Sequence, residues 1–270
     1  MEPALENKNV WIDLADAREA MLKGAGEGVR VAVIDSGIEF DHPDLASLKR
    51  GDDLQVIESG VQAEVKPGDG SDVFGHGTAI AGIIHRLAPA VEIGSFRVLD
   101  AFNMSKTDIV REGVRQAIDR NYQILNCSFG CGLAEHVLRY KSWVDEAYLK
   151  GVHIVAACNN DDFRKPEWPG SFPSVITVDF GNFHPGDVYY RPGNLVEFVA
   201  NGENIDVPWQ GRKRKLISGS SFATPHVTAL LARIVSVYPS VPPLQAKALL
   251  HQLAKPWSKE LAIRAITASK

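Results

Sequence analysis

Three short segments carry residues that could act together on a carbonyl group. Asp35-Ser36-Gly37 follows a dense apolar run, Val29 to Ile34. A carboxylate at the C-terminal end of a buried parallel strand sits where open α/β sheets place functional groups, although it serves equally as a turn or helix cap. Gly75-His76-Gly77-Thr78 sets a histidine between two glycines at a helix start, an arrangement expected to leave room for a substrate beside the ring. A lone histidine is more often structural, and His42 in a turn, His85 after an apolar helix and His226 behind a proline read that way. Gly219-Ser220-Ser221-Phe222-Ala223-Thr224-Pro225-His226 puts serines at the start of a long apolar helix. Free N–H groups and the positive end of the dipole lie there, and an ordinary N-cap would use them too. Each segment is weak alone. Together, in the order Asp, His, Ser, they form one of the known chain orders of a nucleophilic triad.

The elements that must hold these residues follow from periodicity. Val29–Asp35 reads as a strand buried on both faces, and Val91–Val98, Gln123–Cys127 and Val152–Ala157 are similar β-branched runs. Helical patterns separate them. Lys106–Arg120 carries Ile109, Val110, Val114, Ala117 and Ile118 on one face, and Leu133–Lys150 follows with Val137, Leu138, Val144, Ala147 and Tyr148. This alternation predicts an α/β fold of three layers, a mostly parallel central sheet with helices on both faces. A short helix is expected over 12–23, ending at Gly24. The glycine-rich turn 24–28 precedes the first strand, so it is not a dinucleotide fingerprint. Between Asp161 and Gly219 Pro, Gly and aromatic residues become common, with short strands at Val175–Val178 and Val196–Ala200. Ser221–Tyr238 and Leu244–Leu253 read as helices, with Pro243 opening the second. The expected organisation is one domain over 1–270, with 1–28 as a helical N-terminal extension and 255–270 as a packed or frayed tail.

Composition excludes other classes. The chain has 270 residues, 45% hydrophobic and 23% charged, which suits a globular α/β unit and rules out bulk disorder. A net charge of −4 argues against a nucleic-acid partner. No apolar run is long enough to cross a membrane, and the acidic N-terminus lacks a signal core. Cys127, Cys131 and Cys158 make an odd count, which favours free thiols and a reducing, cytoplasmic setting. Cys127 and Cys131 lack the further ligands of a zinc site, so no metal or cofactor is expected.

The three segments resemble the subtilisin-like serine proteases. The likeness runs through DSG at 35–37, HPDL at 42–45, GHGT at 75–78, NCSFG at 126–130, AACNN at 156–160 and GSSFATPHV at 219–227, and covers roughly Trp11 to Trp257. It implies the fold already read from periodicity and an endopeptidase acting through an acyl-enzyme. It further implies Ser221 as nucleophile, His76 as general base and then acid, and Asp35 as the residue that fixes the imidazole. Ser220 matches the small residue beside the nucleophile. Asn160 falls at the family's oxyanion-hole asparagine, while Asn159 replaces a usual glycine. Ser128, Phe129 and Gly130 match the segment whose backbone pairs with an extended peptide substrate, and Cys131 stands in the wall of the first specificity pocket, again for a usual glycine. Trp168-Pro169-Gly170 matches a turn that is often cis.

Counting back from that turn puts Glu167 at the bottom of the first specificity pocket, and Asp161 matches its rim. Two carboxylates there would favour Lys or Arg before the scissile bond, as in a processing protease. Glu167 could instead turn to solvent or pair with Arg164 or Lys165. Many relatives bind calcium in a loop where this chain runs directly from Gly82 to Pro89, and Asp44 matches a ligand whose partners are missing, so no calcium is expected there. Only 28 residues precede Val29, short for the propeptide of secreted members, which points to an intracellular or a processed form. The competing reading is a peptide-binding module that keeps the fold without catalysis.

Overall fold

The computed structural model describes residues 12–60 and 62–258. Trp11, at the edge of the expected likeness, and residues 1–10 and 259–270 of the expected extension and tail lie outside the described residues. In chain order the elements are α1 (Leu14–Lys23), β1 (Arg30–Asp35), β2 (Lys49–Ser59), β3 (Gln62–Pro67), α2 (His76–Leu87), β4 (Glu92–Arg97), α3 (Thr107–Asp119), β5 (Ile124–Cys127) and α4 (Val137–Leu149). Then come β6 (His153–Ala157), β7 (Ile176–Gly181), β8 (Val188–Tyr190), β9 (Phe198–Asn201), β10 (Ile205–Trp209), β11 (Lys213–Ile217), α5 (Ser220–Val237), α6 (Pro243–Leu253) and β12 (Lys255–Pro256).

Ten strands form one sheet in the order β12-β8-β9-β7-β6-β5-β1-β4-β2-β3, and β10 pairs with β11 in a separate ribbon. The pairs from β2 through β4, β1, β5, β6 and β7 to β9 are all parallel. Within this sheet of the described residues antiparallel pairing is confined to β2–β3 and β8–β9, and the separate β10–β11 ribbon is antiparallel. β1 lies between β4 and β5, so the chain leaves it toward one side and returns on the other. That reversal opens a crevice at the C-terminal ends of the strands, where Asp35 closes β1.

Alternation along β1 splits the core. Val31 and Val33 join a cluster with α1, α2, α5 and α6, while Ala32 and Ile34 join one with α3 and α4. The fold is thus the three-layer α/β arrangement expected. Removing a side chain such as Ile34 to its Cβ would cost about 2–5 kcal/mol through lost burial and the cavity left behind. α5 runs through the first cluster and is buried almost all round. A helix so apolar needs protein on every side, which fixes the position of its first turn.

Two readings need correction, and the start of the tail can be placed. Residues 14–23 are part of the core rather than an extension: Asp13 caps α1 by accepting from the Ala15 N–H at 2.7 Å, and Ala17 is fully buried. Lys255 and Pro256 pair with β8 at the sheet edge, so the segment expected as a packed or frayed tail begins packed. Sequence periodicity also missed the β2–β3 and β10–β11 hairpins, whose strands lie at an edge or outside the main sheet and carry many charges. The Trp168–Pro169 bond is cis, as the resemblance implied.

Candidate active site

Asp35 ends β1 and is fully buried, with the Ser36 N–H donating to its Oδ1 at 2.7 Å. Both of its carboxylate oxygens lie 2.9 Å from Nδ1 of His76, the first residue of α2. His76 is 4% exposed. Burial alone would push its pKa down. The charge and hydrogen bond of Asp35, helped by Asp72 and opposed by Lys215, outweigh that, so the pKa is raised above the ordinary value.

The glycines beside His76 do not provide open room, contrary to the sequence reading. A Cβ on Gly77 would stand 2.1 Å from the Gly37 carbonyl oxygen, and one on Gly75 would stand 2.5 Å from the Trp209 indole. Gly75 also has φ of 110°, a left-handed conformation that suits glycine. The two glycines bring the loop after β1 and the β10 indole hard against the first turn of α2.

Asp72 completes this corner, and no sequence motif had marked it. Its Oδ1 accepts from Ser36 Oγ at 2.7 Å, from Phe74 N–H at 3.0 Å and from Gly75 N–H at 2.7 Å. Its Oδ2 accepts from Thr78 N–H at 2.8 Å and Thr78 Oγ at 2.7 Å. The carboxylate thereby does for α2 what an N-cap side chain would do, since Gly75 has none. It also ties the helix bearing His76 to the residue after Asp35.

The serine arrives from the opposite direction. Gly219, with φ of 151°, precedes α5, so Ser220 and Ser221 are its first two helical residues and neither caps it. Ser221 Oγ donates to the Ser128 carbonyl at 3.0 Å, and Ser128 Oγ donates to the Ser221 carbonyl at 2.9 Å. The hydroxyl is therefore not engaged with the imidazole in this rotamer. The next residue, Phe222, packs edge-on against the His76 ring at 5.3 Å between centroids, which sets the start of α5 beside it. Ser220 Oγ donates to the Cys158 carbonyl at 2.7 Å, linking α5 to the end of β6.

The adjacent asparagines differ in what they hold. Asn160 is exposed, and its Oδ1 accepts from the Ser220 N–H at 2.8 Å. Asn159 donates from Nδ2 to Glu167 Oε1 at 2.7 Å, and its Oδ1 accepts from the N–H groups of Asp161 at 3.0 Å and Asp162 at 2.9 Å. Both ends of Asn159 are thus used to fold its own loop. Asp161 is exposed. Arg164 pairs with Asp162 at 2.9 Å, not with Glu167. Glu167 is half-buried against Gly130, where a Cβ would meet its Oε2 at 2.4 Å. Cys131 and Trp168 exchange two backbone hydrogen bonds, 2.9 and 3.0 Å, which joins the 128–131 segment to the Glu167 loop. A cavity of about 550 Å³ opens on the far side of that segment, lined by Phe129, Cys131, Leu133, Met104 and Lys106 among others.

Asp44 is bound by Arg214, and among the described residues no group of three or more His, Cys, Asp or Glu is gathered to hold an ion. These residues do not fit a calcium site. No described helix is long and apolar enough to cross a membrane.

The structure therefore brings Asp35, His76, Ser128, Asn160 and Ser221 to one end of the sheet, with Gly130, Cys131 and Glu167 alongside. A family model described as the subtilase family matches residues 26–265. Subtilisin E of Bacillus subtilis (strain 168) is 31% identical over 244 residues, 85% of this chain and 61% of that protein, so the chain spans less than two thirds of its length. An intracellular serine protease of Paenibacillus polymyxa is 31% identical over 240 residues, covering 83% of this chain and 71% of that one. Among solved structures, a cold adapted subtilisin-like serine proteinase superposes with a TM-score of 0.69 at 28% identity, covering 85% of this chain and 83% of that chain.

Proposed function

This chain belongs to the subtilase family, and we propose that it hydrolyses peptide bonds as a serine endopeptidase through Ser221, His76 and Asp35. The observation that carries this reading is the buried His76–Asp35 pair, 2.9 Å from Nδ1 to each oxygen, with Phe222 holding the start of α5 against the ring. Asp35 accepts a hydrogen bond from Nδ1–H, which leaves Nε2 as the basic nitrogen. A turn of the Ser221 side chain away from the Ser128 carbonyl lets Nε2 take its proton as Oγ attacks the substrate carbonyl. Catalytic hydrogen bonds often tighten only when substrate is bound. The imidazolium, stabilised by Asp35, then protonates the leaving amine, and water repeats the sequence on the acyl-enzyme. The Asn160 amide N–H₂ and the Ser221 backbone N–H stabilise the oxyanion. Asn160 is favoured over Asn159 because the latter is spent on Glu167 and the Asp161–Asp162 turn.

The peptide lies along Ser128–Cys131 as an added strand, and Glu167 gives the first pocket a preference for Lys or Arg. Support for that preference comes from the position of Glu167 against Gly130 and from Arg164 being engaged by Asp162. Asp161 is exposed and contributes little, because a solvated charge is screened. Such a pocket suits limited processing of precursors in a reducing compartment, where the three free thiols persist. A serine-directed fluorophosphonate tests the reading: it should label wild type at Ser221 and leave Ser221→Ala unlabelled. Equal labelling of the two, or peptide binding without labelling or cleavage, would favour the non-catalytic module.

A further inference from the structure

The charge around the candidate site is lopsided on the side opposite Glu167. Resting on the peptidase reading above, the histidine hands its proton to the leaving amine, so the leaving half of the substrate lies on the His76 side of Ser221. Ser128–Cys131, Asn160 and Glu167 belong to the acyl side. What faces the leaving half is the β10–β11 hairpin. Trp209 packs edge-on against Phe74 with centroids 5.7 Å apart, and its indole fills the space over Gly75. Lys215 sets its ammonium 4.1 Å from the centroid of that indole, and Lys213 stands directly opposite Trp209 in the strand register. Lys215 is near enough to His76 for its charge to oppose protonation of the ring. From Lys215 the chain runs through Gly219 into Ser221.

Residues 212–215 are four consecutive cations, and alternation in β11 divides their work. Arg212 pairs with Asp41 at 2.6 Å. Arg214 pairs with Asp44 and Asp206. Lys213 and Lys215, on the strand face shared with Trp209, have no carboxylate partner among the described residues. The uncompensated Lys215 ammonium therefore stands on an aromatic platform beside the leaving side of the reaction centre, with Lys213 on the same strand face. The indole holds Lys215 there without neutralising it.

We propose that Lys215, with Lys213, binds a substrate carboxylate just beyond the scissile bond, so that the enzyme selects peptides with Asp or Glu in the first two leaving-side positions. Glu167 and the lysines then read opposite charges across one bond. A peptide entering in the reverse direction meets like charge at both ends, so the same arrangement sets binding direction.

The test uses internally quenched peptides with a common acyl half and amidated C-termini, varying only the first leaving-side residue among Asp, Asn and Lys. Exposed charges support modest factors, so the expected Asp:Asn ratio of kcat/KM is about 3–10 in wild type at low salt. It should shrink as salt rises past 0.1 M, where the screening length is about 10 Å. The ratio should fall to about 1 in Lys215→Gln, and Lys215→Glu should prefer the Lys peptide. A free C-terminal carboxylate two residues beyond the bond of the Asn peptide shows whether a terminal carboxylate serves as well as a side chain. The same peptides are also bound, uncleaved, to Ser221→Ala. Cleavage without acid preference, or a preference unchanged in Lys215→Gln, would overturn the proposal. Acid-selective binding without any wild-type cleavage would instead overturn the peptidase reading and leave the carboxylate site standing.

Discussion

The Ser128 hydroxyl occupies the place of a missing helical donor to the Ser221 carbonyl. Pro225, four residues after Ser221, has no N–H to give that carbonyl, and Ser128 Oγ donates to it at 2.9 Å instead. Ser128 Oγ in turn accepts from Asn126 Nδ2 at 2.9 Å, and Asn126 Oδ1 accepts from Thr228 Oγ at 2.8 Å. A closed polar circuit thus fastens the first turn of α5 to the end of β5. It fixes the backbone of Ser221 while leaving its side chain free to rotate.

Ser221→Ala should abolish peptide hydrolysis, a loss of about a million-fold in turnover when a triad nucleophile is removed. The fold should persist, since only one hydrogen bond worth about 1 kcal/mol is lost. Ser128→Ala should be the costlier change for stability, because it strands the Ser221 carbonyl and the Asn126 amide. Thermal melting of both variants beside their hydrolysis rates checks the contrast; a larger melting loss in Ser221→Ala would contradict it.

Asn160→Ala should lower kcat about 100- to 1000-fold with little change in KM, since its donor acts on charge that develops in the transition state. Asn159→Ala should instead loosen the Glu167 loop, raising KM for basic substrates. Steady-state kinetics on one Lys peptide separates the two, and the opposite pattern would transfer the oxyanion role to Asn159.

Activity should rise with pH as His76 loses its proton, with a midpoint above the ordinary value of about 6.5 because its pKa is raised. The same shift affects stability in the opposite sense. A raised folded-state pKa stabilises fully below about pH 6.5, and that contribution is lost as pH climbs through the folded value. Two other histidines act on the acid side. Burial pushes His153 down to about 4 and, with Arg86 adding, His226 down to about 3. Both stay neutral in the fold, so stability drains as pH falls below about 6.5, by about 2 kcal/mol for each at pH 5. Melting temperature and kcat/KM measured together from pH 4 to 9 would show it. An activity midpoint below 6 would contradict the His76 assignment.

Asp72→Ala should cost about 3 kcal/mol or more, because three N–H groups and two hydroxyls lose their acceptor at once. Asp72→Asn keeps the shape and removes the charge. Its acid limb of activity should move to lower pH, a response that a purely structural role would not give.

Glu167→Gln should reduce kcat/KM for Lys and Arg substrates by about tenfold and leave large apolar ones unaffected. A fluorogenic series varying only that substrate residue provides the measurement. Preference for apolar residues in wild type, unchanged in the variant, would refute the pocket assignment.

Much of the frame was legible in the residues. β1, β4, β5 and β6 are buried along most of their length on both faces and therefore read as short strands without the alternation of a half-exposed one. The serine at the mouth of α5 was visible because so apolar a helix can only be internal. β2, one strand in from the sheet edge, and β11, outside the main sheet, were not legible, since both carry many charges that hide their period. Asp72 was silent because its meaning depends on Ser36, which is distant in sequence and reaches it only when β1 meets α2. The resemblance singled out Asn160, but what Asn159 does instead, holding Glu167 and the Asp161–Asp162 turn, shows only in the folded loop. The glycines around His76 misled for a related reason: what fills their space, Gly37 and Trp209, comes from other parts of the chain.

The order in which the sheet is threaded also decides when the molecule becomes dangerous. Asp35 and His76 lie early, on a strand and helix complete before residue 90, whereas Ser221 opens a helix that packs against α2 and the sheet from late in the chain. Contacts this distant in sequence close late in folding. A chain emerging from the ribosome therefore presents the proposed base and its carboxylate before the proposed nucleophile. On the proposed mechanism, the nucleophile joins that pair only once α5 has packed against α2.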